Sequence, residues 1–210
     1  MQDFSSLISE KLLQIKAIKL QPANPFTWAS GWKSPIYCDN RKTLSYPDIR
    51  KLIAESFAEI IKQKYKNVDV IAGVATGAIA VGVLVAEVLD LPFIYVRSSS
   101  KGHGLQNQIE GYFEQNQKVV VIEDLVSTGG SSLKAVDALR SANLNVLGML
   151  AIFTYGFKQA ENNFALNNCE LTTLSNYNSL IDIALQTKYI SEDFLPTLKQ
   201  WRQNPEIWGK

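Results

Sequence analysis

Apolar and polar positions along this chain follow two rhythms in turn, one of period 3.6 and one of buried runs. From Asp3 to Lys19 the apolar residues at 4, 7, 8, 12, 15 and 18 lie on one helical face, with Asp3 or Ser5 as the candidate N-cap. Between Pro22 and Tyr46 the rhythm fails. Prolines at 22, 25 and 35, Gly31, and aromatics at 26, 28, 32 and 37 predict short strands and loops. Pro47 then opens an amphipathic helix with Ile49, Leu52, Ile53, Phe57, Ile60 and Ile61 on one face, and Lys62, Lys64 and Lys66 lie on or past its last turn.

An alternation follows. The pattern predicts a strand over 68–74, a helix over 78–89 and a strand over 92–97. A polar stretch over 98–108 leads to strands over 109–113 and 118–123. A Gly/Ser/Thr turn over 124–131 precedes a helix over 132–142 and a strand over 144–155. Beyond it the signals weaken: a helix near 158–166, a strand over 170–174, and helices near 179–187 and 191–203. Apolar strands alternating with helices predict an α/β fold, a mainly parallel sheet flanked by helices on both faces. Val70 to Ala86 nearly reaches the length of a membrane span, and Thr76 is its only clearly polar member. Three glycines and five alanines, with Asp69 and Glu87 at its ends, make it read better as a buried strand, a turn and a buried helix.

Composition narrows the function classes. At 210 residues and 46% hydrophobic, one domain with a large core is expected, since a chain of this size buries roughly 70% of its extended surface. The formal charge of +1 removes the electrostatic argument for a nucleic-acid or membrane-surface partner. A mild tilt remains: residues 1–51 carry eight Lys/Arg and four Asp/Glu, residues 160–210 four and six. One His and two Cys cannot assemble a transition-metal cluster, and Cys38 and Cys169 read as free buried thiols. The N-terminus lacks the basic start and long apolar core of a signal peptide, so a cytoplasmic protein is expected.

The chemistry concentrates in Val119 to Ser132. A buried strand ends on adjacent carboxylates, Glu123 and Asp124; Leu125, Val126, Ser127, Thr128, Gly129, Gly130 and Ser131 follow before a helix begins. Glycines let backbone approach a ligand, N–H groups at a helix start favour an anion, and three hydroxyls add donors, which together form a phosphate cradle. GxxxxGK[ST] is absent, and the nearest match to GxGxxG, Gly102 to Asn107, fails at its last position. Carboxylates accept hydrogen bonds from hydroxyls and repel phosphates, so the pair suits a phosphorylated sugar. An ordinary strand-to-helix turn with capping residues would share the spacing. The 98–108 loop carries three serines, two glycines, Lys101 and the only His, with one large apolar residue, as a lid would. A Cys–His nucleophile pair lacks any feature that activates either thiol, and GxSxG is absent.

Val121 to Ser131 resembles the 5-phosphoribosyl 1-diphosphate (PRPP) motif of the type I phosphoribosyltransferases. Phe26 to Arg41 is similar to the N-terminal hood of the orotate-specific members, and Arg97 to Gly104 to their catalytic loop. The resemblance spans about residues 10 to 155. It implies a single phosphoribosyltransferase domain over 1–210, with residues about 20–46 in a hood over the active site. It also implies transfer of a phosphoribosyl group from PRPP to orotate, with Mg²⁺ carried by PRPP and pyrophosphate rather than by protein ligands. Lys101, His103 and Asp124 are then the catalytic candidates. PRPP binding falls to Arg97, Lys101, His103 and Glu123 through Ser131, in which Glu123 and Asp124 take ribose hydroxyls and 128–131 the 5-phosphate; Ser127 is the orotate contact. The family's lid reaches a neighbouring subunit, which implies a homodimer.

Some members carry a Lys after the loop Arg, where this chain has Ser98, and a Lys in the turn over 73–78, which has none here. Some also carry an Arg just after the 144–155 strand, where Phe153 to Gly156 stands. The rival readings are a purine or uracil phosphoribosyltransferase and a PRPP-sensing regulator on the same fold. The second predicts a basic face or an added DNA-binding module.

Overall fold

A computed structural model describes residues 4–98 and 108–209. Helix α1 (Ser5–Gln14) stops well short of the predicted Lys19, because Lys16 takes a left-handed backbone (φ 55°) and turns the chain into strand β1 (Ile18–Leu20). Phe4 holds the N-cap position with no side-chain cap; Ser5 is already inside the helix, and Asp3 lies outside the described residues. The segment without rhythm forms β2 (Phe26–Thr27), β3 (Lys33–Ser34) and β4 (Ile36–Cys38), then a 3-10 helix over Asn40–Ser45. β1 pairs antiparallel with β4, and β2 with β3. α2 (Pro47–Lys64) has Pro at its start, Asp48 in its first turn, and Lys62 and Lys64 in its last, as helix termini favour.

The main sheet is built from β5 (Val70–Val74), β6 (Phe93–Val96), β7 (Ile109–Glu110), β8 (Lys118–Val126), β9 (Asn145–Thr154) and β10 (Leu171–Asn176), in the order β10-β9-β8-β5-β6-β7. All neighbours are parallel except the edge strand β7. β7 ends three residues before the predicted 113 because Gly111 adopts φ 109°, outside the extended region. α3 (Ile79–Leu89) carries the chain from β5 to β6; α4 (Gly130–Ser141) and α5 (Lys158–Leu166) carry it the other way, from β8 to β9 to β10. The apolar run over 70–86 is thus a strand, a turn and a helix, and among the described residues no helix is long and apolar enough to cross a membrane.

Alternation along the strands divides the core. Val120 and Ile122 of β8 face α1, α2, α3 and the C-terminal helices, whereas Val119 and Val121 face α4 and α5. Chain direction reverses between β5 and β8, and a crevice opens beyond the carboxyl ends of strands at such a reversal.

The C-terminal elements close the first face. α6 (Tyr177–Gln186) begins two residues earlier than the spacing predicts, since the Asn176 side chain accepts from the N–H groups of Asn178 and Ser179. The predicted 191–203 helix splits into a 3-10 turn over Glu192–Phe194 and α7 (Leu195–Gln203), with Pro196 in the first turn of α7, where no N–H is needed. Trp201 of α7 is fully buried; its indole N–H donates to Lys33 O at 3.2 Å, and Trp28, Tyr155, Phe157 and Tyr177 surround it at centroid distances of 5.4–5.8 Å. One side chain from the far end of the chain therefore holds the β2–β3 ribbon to the end of β9. Trp201→Ala should destabilise the protein by about 3–5 kcal/mol through the lost packing and the cavity, read as a shift in the urea midpoint at unchanged slope. A loss below about 1 kcal/mol would mean the cluster carries no such weight.

Candidate functional site

β8 runs three residues further than the predicted Glu123, so Glu123 lies in the strand as expected, and Asp124, Leu125 and Val126 lie there too and not in the turn. The reason is β9, which continues to Thr154 and supplies partners for Leu125 and Val126 (Phe153 and Thr154). On its other edge β8 pairs with β5 only as far as Ile122. The backbone of Asp124 is left without a strand there, and its carbonyl accepts instead from Asn40 Nδ2 at 2.6 Å. Asn40 is buried, and the Cys38 thiol donates to its Oδ1 at 3.3 Å.

The two carboxylates are not equivalent. Glu123 is buried (4% exposed), and both its oxygens are engaged: Oε1 accepts from the Asp124 N–H at 2.9 Å and Oε2 from the Ser132 hydroxyl at 2.8 Å. Asp124 is partly exposed and borders the turn after β5. Gly77 of that turn lies so close that a Cβ there would overlap the Asp124 carboxylate, a close approach only glycine permits. Burial, and secondarily the Asp124 charge, hold the Glu123 carboxyl well above the usual carboxylate range; burial raises Asp124 as well. Arg41, exposed and paired with Asp39 at 2.6 Å, also acts on Asp124 and favours its ionised form.

The cradle follows the strand. Ser127 and Thr128 are partly exposed, Gly129 takes φ 83° at the N-cap of α4, and Gly130 and Ser131 are exposed in the first turn, two residues earlier than the predicted helix start. Free N–H groups of α4 thus face the mouth where β5 and β8 part. Arg97 stands at the opposite side, its N–H on Gln108 O at 2.8 Å and its guanidinium on Glu110 at 3.3 Å. Lys101 and His103 lie outside the described residues. Burial raises the Cys38 and Cys169 thiols, which disfavours the thiolate that a Cys–His nucleophile would require.

Several contributors had no signal of their own in the sequence. Asn40, Gly77 and Ser132 act only through Asp124 and Glu123, and their partners are brought near by the fold. Phe153 to Gly156 carries no Arg, but Arg202 of α7 brings a guanidinium there, donating to Tyr155 O at 3.2 Å and Gly156 O at 3.1 Å.

A family model described as the phosphoribosyl transferase domain matches residues 42–187. A protein of Porphyromonas gingivalis named orotate phosphoribosyltransferase is 58% identical over 209 residues, covering 100% of both chains. Among solved structures, the orotate phosphoribosyltransferase of Aeropyrum pernix superposes with a TM-score of 0.75 at 26% identity, over 88% of this chain and 99% of that one. UMP synthase of Leishmania donovani gives a TM-score of 0.80 at 25% identity; the match covers 94% of this chain and 42% of that longer one.

The raised carboxyls have a consequence for stability. The folded pair keeps protons that the unfolded chain releases from the ordinary glutamate value of 4.5 upward, so their contribution is full below that value and is lost as pH rises toward neutrality. Glu123→Gln removes this titration. Melting curves across about pH 5 to 8 should show stability falling less steeply with rising pH in the variant than in the native chain; identical slopes would show that the pair does not hold the proton.

Proposed function

The chain belongs to the phosphoribosyl transferase family, among its orotate phosphoribosyltransferases, and from that premise we propose that it transfers the 5-phosphoribosyl group of PRPP to orotate, giving orotidine 5′-monophosphate and pyrophosphate. The observation that carries this reading is the placement of an acidic pair near the carboxyl end of β8, two residues before the turn that opens α4, at the reversal of the sheet. A phosphate on the N–H groups of residues 128–131 sets the ribose above β8. There Asp124, the outward member of the pair, accepts from ribose hydroxyls. Glu123 lies beneath, turned inward by Ser132.

Pyrophosphate departure builds positive charge on the ribosyl ring and negative charge on the leaving group. Asp124 stabilises the first at short range, while Arg97, Lys101 and His103 neutralise the second and exclude water that would hydrolyse the ribosyl cation. Orotate, a planar anion, enters beside Ser127 and the hood over residues 20–46. Among the described residues no group of three or more His, Cys, Asp or Glu side chains could hold a metal ion. In this reading Mg²⁺ arrives on the diphosphate and ribose oxygens of PRPP, hard ligands that suit it without a protein cage.

A homodimer belongs to the same reading, as does a cytoplasmic location. α3 is apolar except for the exposed Glu87, yet only Val81, Gly82, Val85 and Ala86 are buried. Val83 and Val88 stand 45% and 40% exposed on its other face, as a helix covered by a second copy would.

Pyrophosphate release from PRPP should depend on orotate; uracil, adenine and guanine tested side by side should give none above background, and turnover of a purine without orotate would overturn the assignment. Lys101→Ala and Asp124→Asn should each lower kcat at least about a hundredfold, given a lost transition-state charge. Co-expressed, the two variants should regain activity in heterodimers, where one site keeps both native groups. No recovery would mean that Lys101 serves its own subunit's site.

A further inference from the structure

α5 lies in the part of the chain that the motif does not reach, but it touches the motif at one point. Asn163 Nδ2 donates to the carbonyl of Thr128 at 2.9 Å. The next side chain, Phe164, is buried against Gly129, where an added Cβ would stand 2.8 Å from its ring. Asn163 is itself fixed: Asn167 Nδ2 donates to its carbonyl at 3.0 Å, and Arg140 at the end of α4 donates to the carbonyls of Asn167 and Asn168 at 2.7 and 3.0 Å. α4 is therefore tied at both its ends to the second half of α5 and the residues just past it, by Asn163 and Phe164 against the turn before α4 and by Arg140 against Asn167 and Asn168.

The consequence is one of peptide geometry. In a trans peptide the C=O and N–H point in opposite directions, and the Thr128–Gly129 peptide is trans. α5 covers the sheet on the β10 side of α4, so a Thr128 carbonyl held toward α5 sends the Gly129 N–H the other way, toward the mouth at the β5–β8 reversal. Turned over, the same peptide would present an acceptor where an anion needs a donor, and Gly129, at φ 83° without a Cβ, has the freedom to turn. We propose that Asn163 is a positioning residue for phosphate recognition: it fixes the Thr128–Gly129 peptide so that the cradle offers N–H groups to the 5-phosphate of the substrate. This rests on the phosphoribosyltransferase reading for the identity of that phosphate.

The test uses the full chain and a probe that carries the phosphate without diphosphate or base. Ribose 5-phosphate, titrated calorimetrically, should bind Asn163→Ala about tenfold more weakly than the native chain, the effect of one hydrogen bond and the loosened peptide. Asn163→Asp, which keeps the volume and sets a carboxylate against the carbonyl, should lose at least as much. In both variants the KM for PRPP should rise while the KM for orotate stays within about twofold, since a hydrogen bond made only through the phosphate turn has no route to the base. Unchanged ribose 5-phosphate affinity in the two variants overturns the proposal. So does equal weakening toward PRPP and orotate with a lowered melting temperature, the mark of a purely structural role. Failure of the native chain to bind ribose 5-phosphate at all also overturns it. Failure to turn over orotate, by contrast, strikes the functional reading alone, because the binding measurement involves no base.

Discussion

Two adjacent carboxylates at the end of a buried strand set the terms for everything around them. Each loses water on folding, and the Asp124 charge adds to Glu123's cost of ionisation, so the pair must either keep a proton or find donors. The fold answers asymmetrically. Glu123 is turned inward and receives the Asp124 N–H and the Ser132 hydroxyl, whereas Asp124 is left outward, its ionised form favoured by Arg41. Ser132 belongs to α4, Asn40 to the 3-10 helix after β4, and Gly77 to the turn after β5. Three separate connections thus converge on two residues of β8, and the position of each is understandable only as a partner of that pair.

The ladder pattern explains why the convergence happens here. β8 is central, but its partner β5 ends its pairing at Ile122, four residues before β8 itself ends. A central strand that outlasts one neighbour leaves backbone acceptors to be met by side chains, and the Asn40 bond to Asp124 O is that replacement. The gap lies at the sheet reversal, the place where ligands bind in open α/β sheets. The bond from Asn40 thus has its origin in a difference in length between two neighbouring strands.

Much of this was legible in the residues. The alternation over 68–155 placed every strand of the sheet up to β9, and Val119 to Ser132 marked the site, because buried runs and glycine turns are local properties of the chain. What the pattern missed depends on contacts distant in sequence. The strand end at Val126 depends on β9, the start of α6 on a cap at Asn176, and the end of α1 on a left-handed Lys16. Asn40, Ser132 and Asn163 have no motif of their own; they are ordinary polar residues whose only distinction is what the fold sets opposite them.

The C-terminal quarter illustrates the same division. Read as sequence, residues after about 160 gave weak helices and no chemistry, yet they hold the site from two directions. Trp201 and Arg202 fix the N-terminal ribbon and the end of β9 on one face of the sheet, while Asn163 and Phe164 hold the turn before α4 on the other. A near-neutral chain can therefore concentrate two carboxylates beside a helix start without a large charged surface. The field at such a site comes from a few oriented peptides and one carboxylate pair, and orientation depends on neutral hydrogen bonds and aromatic packing that net charge does not register. On the proposed reading, removing a neutral side chain distant from the substrate should alter recognition of an anion as surely as removing a charge, because the peptide dipole it holds would be the group that meets the phosphate.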